Sequence, residues 1–287
     1  MALGTQTGGS TIRPGSFNGI YAFKPTWGAV TREGLKIYSL MLDTLGLYAR
    51  SVEDLELLAD VLALHDDDND DNDTRKEQQK AEGVNGMKFA LLKNPQDVFP
   101  EPGPGSKAAM SKAVVLLVEN GAVVEEVDMG CPEFKSLPDW HRCMMATDGQ
   151  ASFLPEYRTH KDKLSDFLVG HVENDGGYTR KARLETLDGT AALRPKVDAV
   201  LAGYDALLTP SVPDEAPLGI GSTGSAAFNS IWTALHVPVV NIPGFQGENG
   251  LPIGVSLVAP RYRDRHLLRV SGEVGKIFEA QGVGTVR

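Results

Sequence analysis

Ser10 is the residue whose surroundings suggest chemistry. In the stretch Gly4 to Thr26, GTQTGGSTIRPGSFNGIYAFKPT, a short polar glycine turn places one serine between two apolar, strand-like segments. Glycine backbones adopt dihedrals closed to other residues, so Thr7, Gly8, Gly9 and Ser10 can point successive N–H groups at one spot. Such a turn is an anion cradle. Thr11 to Asn18 then carries Pro14 in what would be the first turn of a short helix, with Gly19 just after its end, the usual placing of the two residues. Ser10 is thereby expected at a helix N-terminus. Free amides and the positive end of the helix dipole would favour the oxyanion formed when the serine attacks a carbonyl.

The run GTQTGGS, the proline four residues after the serine and the KPT at Lys24 to Thr26 closely resemble the amidase signature family, serine hydrolases that cleave carboxamide C–N bonds. The resemblance implies that Ser10 is the nucleophile and that Thr7, Gly8 and Gly9 form the oxyanion hole. Arg13 stands one position later than in most members. Its guanidinium would either bind a substrate carboxylate or hold a neighbouring aspartate. Leu42-Asp43-Thr44-Leu45-Gly46 and Ala49-Arg50-Ser51 are similar to a second segment of the family, which makes Asp43 the candidate partner of Arg13. Tyr204 to Pro210 resembles a third, and the resemblance runs from residue 3 nearly to the end, looser between about 65 and 200.

The family activates its serine with an upstream lysine acting through a bridging serine some two dozen residues before the nucleophile. Only nine residues precede Ser10 here. The resemblance therefore implies that the base and its bridge are missing with the N-terminal portion, and a serine hydroxyl without a base is a poor nucleophile at neutral pH. Lys24 is not expected to stand in, because an exposed lysine is protonated. Three readings stay open: a serine amidase acting on a small amide, a catalytically dead fragment or pseudoenzyme, and an A-type subunit of the amidotransferase that amidates glutamyl-tRNA. An α/β-hydrolase is a poorer match, since no serine has GxSxG around it.

With 287 residues, 41% of them apolar, and 31 glycines, the chain is long enough for one large or two modest domains and suits a mixed α/β globule; the resemblance implies a single amidase domain over 1–287. The resemblance implies a largely parallel twisted sheet with helices on both faces. A net charge of −10 without basic runs argues against nucleic acid and anionic membrane, and no apolar run approaches the roughly 20 residues that span a bilayer. The expectation is a soluble cytoplasmic protein taking a small-molecule amide, with a homodimer allowed. Cys131 and Cys143 form no CxxC, so free thiols are expected.

Around this turn the chain reads as alternating strands and helices. Ser51 caps a helix whose Leu55, Leu58, Val61 and Leu62 share one face. Met87 onward is a strand, Ser106 caps a helix through Glu119, and Ala122 to Val127 is the next strand, a parallel unit. The loop Pro95 to Gly105 between them would wall a site. Residues 139–203 read as helical, broken at Gly176-Gly177, Gly189 and Pro195, and the resemblance makes them a cover for the pocket. A strand at Tyr204 to Pro210, a helix holding Phe228 and Trp232, strands at Val237 to Gly244 and Gly250 to Val258, and a helix from Asp264 to Ala280 complete the chain. Phe228 and Trp232 read first as core and second as an acyl pocket.

No cofactor or metal is expected. Asp66 to Asp73 copies some ligand positions of an EF-hand but lacks its glycine, so residues 66–80 read as an acidic surface insertion. Gly219 to Gly224 satisfies GxGxxG, but three prolines separate it from the preceding strand. His141, His160 and His171 have no ligand spacing and read as surface or lightly buried.

Overall fold

The computed structural model describes residues 1–66 and 83–280, so the acidic insertion lies almost wholly outside the described residues. Eight strands form one sheet: β1 (Ala2–Gln6), β2 (Tyr21–Lys24), β3 (Thr44–Ala49), β4 (Lys88–Leu92), β5 (Val123–Val127), β6 (Ala206–Pro210), β7 (Val239–Gln246) and β8 (Pro252–Val258). Their order is β1-β3-β2-β7-β8-β6-β4-β5. The helices are α1 (Ile12–Phe17), α2 (Val52–Val61), α3 (Pro104–Glu119), α4 (Leu137–Ser152), α5 (Leu154–His160), α6 (Asp166–Glu173), α7 (Arg180–Leu201), α8 (Ser230–Ala234) and α9 (Asp264–Glu279).

Alternation along the central strands sends successive side chains to opposite faces, and each face is covered by helices. Phe23, Phe89, Leu208, Val240 and Leu257 join a core closed by α2, α3 and α9. Ala22, Ala90, Leu207, Val239 and Val258 join a second core closed by α1, α4, α7 and α8. A sheet buried on both faces explains why these strands read as continuous apolar runs.

The fold class is the expected mixed α/β, but the balance of pairing is not. β4 pairs in parallel with β5 and β6, whereas the five pairs that join β1, β3, β2, β7, β8 and β6 are antiparallel. The β4-α3-β5 segment, and the helical run from β5 to β6, supply the crossovers that parallel pairing demands. β2 and β3 lie side by side in the sheet, and so do β7 and β8.

Two helix signals resolve differently from their expectation. α3 starts at Pro104 with Gly103 as N-cap, because proline fills a first-turn position at no hydrogen-bond cost. Ser106 instead turns inward and donates its hydroxyl to Val212 O at 2.8 Å. α7 runs unbroken through Gly189 and Pro195. Gly189 is required there by packing, since a Cβ would stand 2.6 Å from the Trp140 ring. The break does fall at Gly176-Gly177, with Gly177 at φ +63°. Ser51 caps α2 as expected, accepting from Asp54 N at 3.2 Å.

Candidate active site

The turn expected to do chemistry leaves β1 at Gln6, where β1 pairs with β3 through Gln6 and Thr44. Its carbonyls are all tied back into the protein. Thr7 O accepts from His141 Nε2 at 2.9 Å, Gly8 O accepts from Thr233 Oγ1 at 2.7 Å, and Gly9 O accepts from Arg13 N at 3.0 Å. The amides of Gly8, Gly9 and Ser10 donate to no acceptor among the described residues. Gly8 and Gly9 are buried and Ser10 is exposed. Ser10 O accepts from Tyr48 Oη at 2.9 Å, and its hydroxyl has no hydrogen-bond partner among the described residues. With these three carbonyls held by other groups, the amides of Gly8, Gly9 and Ser10 are left uncommitted beside the serine, and neither glycine sits at positive φ.

Glycine is needed here for approach. A Cβ on Gly9 would meet Ala226 Cβ at 3.0 Å and Asn229 Cβ at 3.1 Å, so the turn lies directly on the segment leading into α8.

Ser10 does lie just before the N-terminus of α1, whose N-cap is Thr11, but the free amides expected there are already taken. The amides of Thr11 and Ile12 donate to Gln6 Oε1 at 2.9 and 3.0 Å, so Gln6 occupies the start of α1 with its own side chain. Gln6 Nε2 donates in turn to Thr233 Oγ1 at 3.0 Å. Gln6, buried at the end of an edge strand, therefore caps the helix and locks the turn to α8. What remains as a candidate anion site is the turn itself.

The expected Arg13–Asp43 pair does not form. Asp43 does lie beside the turn, but its carboxylate accepts from Thr7 Oγ1 at 2.6 Å and Tyr38 N at 2.7 Å, two donors that satisfy a buried anion in place of a guanidinium. Arg13 reaches across to the loop before α8, donating to Gly224 O at 3.1 Å and Thr223 Oγ1 at 3.3 Å.

Lys24 is fully buried rather than exposed. Its Nζ donates to Pro25 O at 2.9 Å, and burial lowers its pKa to about 7, with Asp264 opposing the shift. Asp264 is itself pushed up to about 6 by burial while accepting from Thr26 N and Thr26 Oγ1 at 2.7 and 2.6 Å. Lys24 has no hydrogen bond to Ser10 among the described residues, and it meets Asp264 of α9 only through its charge. Its folded pKa lies below the ordinary lysine value of 10.5, so between pH 7 and 10.5 the unfolded chain binds the extra proton and stability rises with pH. We expect the urea midpoint of the parent to rise between pH 7.5 and 9.5 by more than that of Lys24→Met. Equal rises in the two proteins would contradict a neutral buried amine.

His141 is buried, not superficial, and burial lowers its pKa to about 4, so it is neutral and donates from Nε2 at physiological pH. His171 is half-buried against Tyr38 Oη at 2.6 Å, and His160 is exposed. No group of three or more His, Cys, Asp or Glu able to hold a metal occurs among the described residues. Phe228 and Trp232 are core: both are buried and pack with Phe99. Cys131 and Cys143 are free thiols.

Sequence reasoning placed Ser10, Thr7, Gly8 and Gly9 in one turn and missed Gln6, His141 and Thr233, which hold it. Gln6 carried a weak signal as a polar residue closing an apolar strand. The other two are brought in across 134 and 225 residues and had none.

The amidase family model matches residues 1–268. The A subunit of glutamyl-tRNA(Gln) amidotransferase from Agathobacter rectalis is 29% identical over 97% of this chain and 62% of its own length. Its counterpart from Sulfolobus acidocaldarius is 26% identical over 96% of this chain and 65% of its own. Among solved structures, one described as an amidase aligns at TM-score 0.79 and 25% identity over 98% of this chain and 62% of that one. The glutamyl-tRNA(Gln) amidotransferase A subunit from Thermotoga maritima, at 24% identity and TM-score 0.74 over 96% of this chain and 62% of that one, shares the fold. The chain thus spans a little over three-fifths of the length of the relatives it matches. No helix among the described residues is long and apolar enough to cross a membrane. On a family match that takes in both the Ser10 turn and the whole sheet, the chain belongs to the amidase family.

Proposed function

We propose that this chain carries the nucleophile half of a serine amidase site and that the proton acceptor for Ser10 comes from outside these 287 residues. Ser10 Oγ attacks the carbonyl carbon of a small-molecule carboxamide, and the amides of the Thr7 to Ser10 turn hold the oxyanion. The C–N bond then breaks, the nitrogen leaves with a proton, and water cleaves the acyl-enzyme to the acid and free Ser10. The observation that carries this reading is the exposed serine beside the uncommitted amides of Gly8, Gly9 and Ser10. Arg13 is a brace for the loop before α8 rather than a substrate clamp, since its guanidinium is engaged by Thr223 and Gly224. The helices within 139–203 cover the pocket, and the protein works in the cytoplasm, alone or as a homodimer.

A second reading is favoured by the names of the relatives: the chain corresponds to part of the A subunit of a glutamyl-tRNA(Gln) amidotransferase and works with other subunits. The two readings share Ser10. They separate on whether a partner protein co-purifies.

The test of Ser10 is acylation by an activated ester, p-nitrophenyl acetate, whose good leaving group lessens the need for a base. Peptide mapping by mass spectrometry is expected to find acetyl accumulating on Ser10 over hours and on no site in the turn of Ser10→Ala. Acetyl confined to lysines, with Ser10 unmodified, would contradict the assignment.

A further inference from the structure

We propose that His141 and Thr233 are positioning residues that fix the direction of the turn amides, an inference that rests on the Ser10 reading above. They come from α4 and α8, helices far from the turn in sequence, and they grip adjacent carbonyls. His141 Nε2 donates to Thr7 O and Thr233 Oγ1 to Gly8 O. A peptide unit is planar, so fixing the Thr7 carbonyl fixes the Gly8 N–H, and fixing the Gly8 carbonyl fixes the Gly9 N–H, each pointing the opposite way. Glycine has no side chain to hold its peptide plane against rotation. Without these two donors the freedom that lets the turn form would also let its dipoles swing.

Both donors are themselves held. Thr233 is fully buried and its oxygen accepts from Gln6 Nε2 at 3.0 Å, the same side chain whose Oε1 takes the amides of Thr11 and Ile12. His141 is 5% exposed and stands within van der Waals reach of Gly8, 3.5 Å from the position of a Cβ there. Nε2 donates whether the ring is neutral or protonated, so this grip does not switch with pH. The histidine makes no hydrogen bond to the serine hydroxyl; it acts through the peptide plane.

The experiment uses phenylboronic acid and the chain as it stands. Boron accepts the Ser10 oxygen to give a tetrahedral anion, the hydroxyl proton passing to water, so the adduct is an equilibrium product that needs no catalytic base. Its formation is read by the boron NMR shift and by the amide shifts of Gly8, Gly9 and Ser10. The parent is expected to form the adduct, Ser10→Ala to form none, and His141→Ala and Thr233→Val each to bind at least about tenfold more weakly, in the direction seen when an oxyanion donor is lost. His141→Gln, which keeps an N–H donor, is expected to recover most of the loss. Each variant is first shown to keep the parent's circular dichroism and a cooperative melt. Adduct in the parent with unchanged affinity in both folded variants would overturn this inference and leave Ser10 standing. Failure of His141→Gln to recover binding while it folds normally would overturn the role of the N–H. Absence of adduct in the parent would overturn the cradle itself.

Discussion

Incubated with a simple carboxamide at neutral pH, the 287-residue chain is expected to release no more acid than its Ser10→Ala variant. An alcohol of ordinary acidity attacks an amide only when a base removes its proton in the transition state. The titratable groups around the turn do not supply one. His141 is committed from Nε2 to Thr7 O, Asp43 to Thr7 Oγ1 and Tyr38 N, and Lys24 to Pro25 O. Tyr48 donates to the Ser10 carbonyl and is held above its ordinary pKa by burial. Loss of a positioned base costs about 10²- to 10⁴-fold, which puts turnover of an unactivated amide below detection. Amide hydrolysis well above the Ser10→Ala background would show that a base lies within the chain and would contradict the proposal.

The second large effect is on stability. Gly46 of β3 stands opposite Gly4 of β1, and a Cβ on it would lie 2.1 Å from Thr11 Oγ1 and 2.5 Å from Thr11 Cγ2. Turning the buried Thr11 side chain would not relieve the clash, because the new Cβ would also lie 2.8 Å from Thr11 Cβ, which rotation leaves in place. Gly46→Ala is therefore expected to cost about 3 kcal/mol, the upper range for overpacking a filled interior. The strain should reach the turn, shifting the amide resonances of Gly9 and Ser10. A urea titration that finds a loss under about 0.5 kcal/mol, the scale of a neutral surface change, would show that β3 and the turn are not packed as described.

The legible portion of the molecule was local. A glycine turn between two apolar runs announces itself within seven residues, and so does the Ser51 cap of α2, because both depend on neighbours in the chain. The fold class was legible for the same reason, strand and helix periods being short. What escaped was long-range. The excess of antiparallel pairs reflects where β1, β2, β7 and β8 are laid in the sheet, which no local period encodes. Gly189 and Pro195 read as breakers, yet α7 continues past both, held by packing against Trp140 at Gly189 and by burial of Leu193, Arg194 and Val197. Asp43 was placed near the turn correctly and given the wrong partner, since Thr7 and Arg13 compete for it and only the fold decides that Arg13 leans towards Gly224.

The positions of Gln6, His141 and Thr233 show the same limit at the site itself. The proposed chemistry requires the amides, and the sequence displays them. Holding the amides is the work of side chains from α4, α8 and the end of β1, and their contribution is visible only once the three elements converge.

If Ser10 is a nucleophile with no proton acceptor among the described residues, the pH dependence of its labelling by a fluorophosphonate should show it. With hydroxide as the only base, the logarithm of the labelling rate should rise with pH at a slope of about one from pH 6 to 10. The label should sit on Ser10 and vanish in Ser10→Ala. A rate that levels off above an inflection near pH 7, where the buried Lys24 titrates, or a label that settles elsewhere, would contradict it.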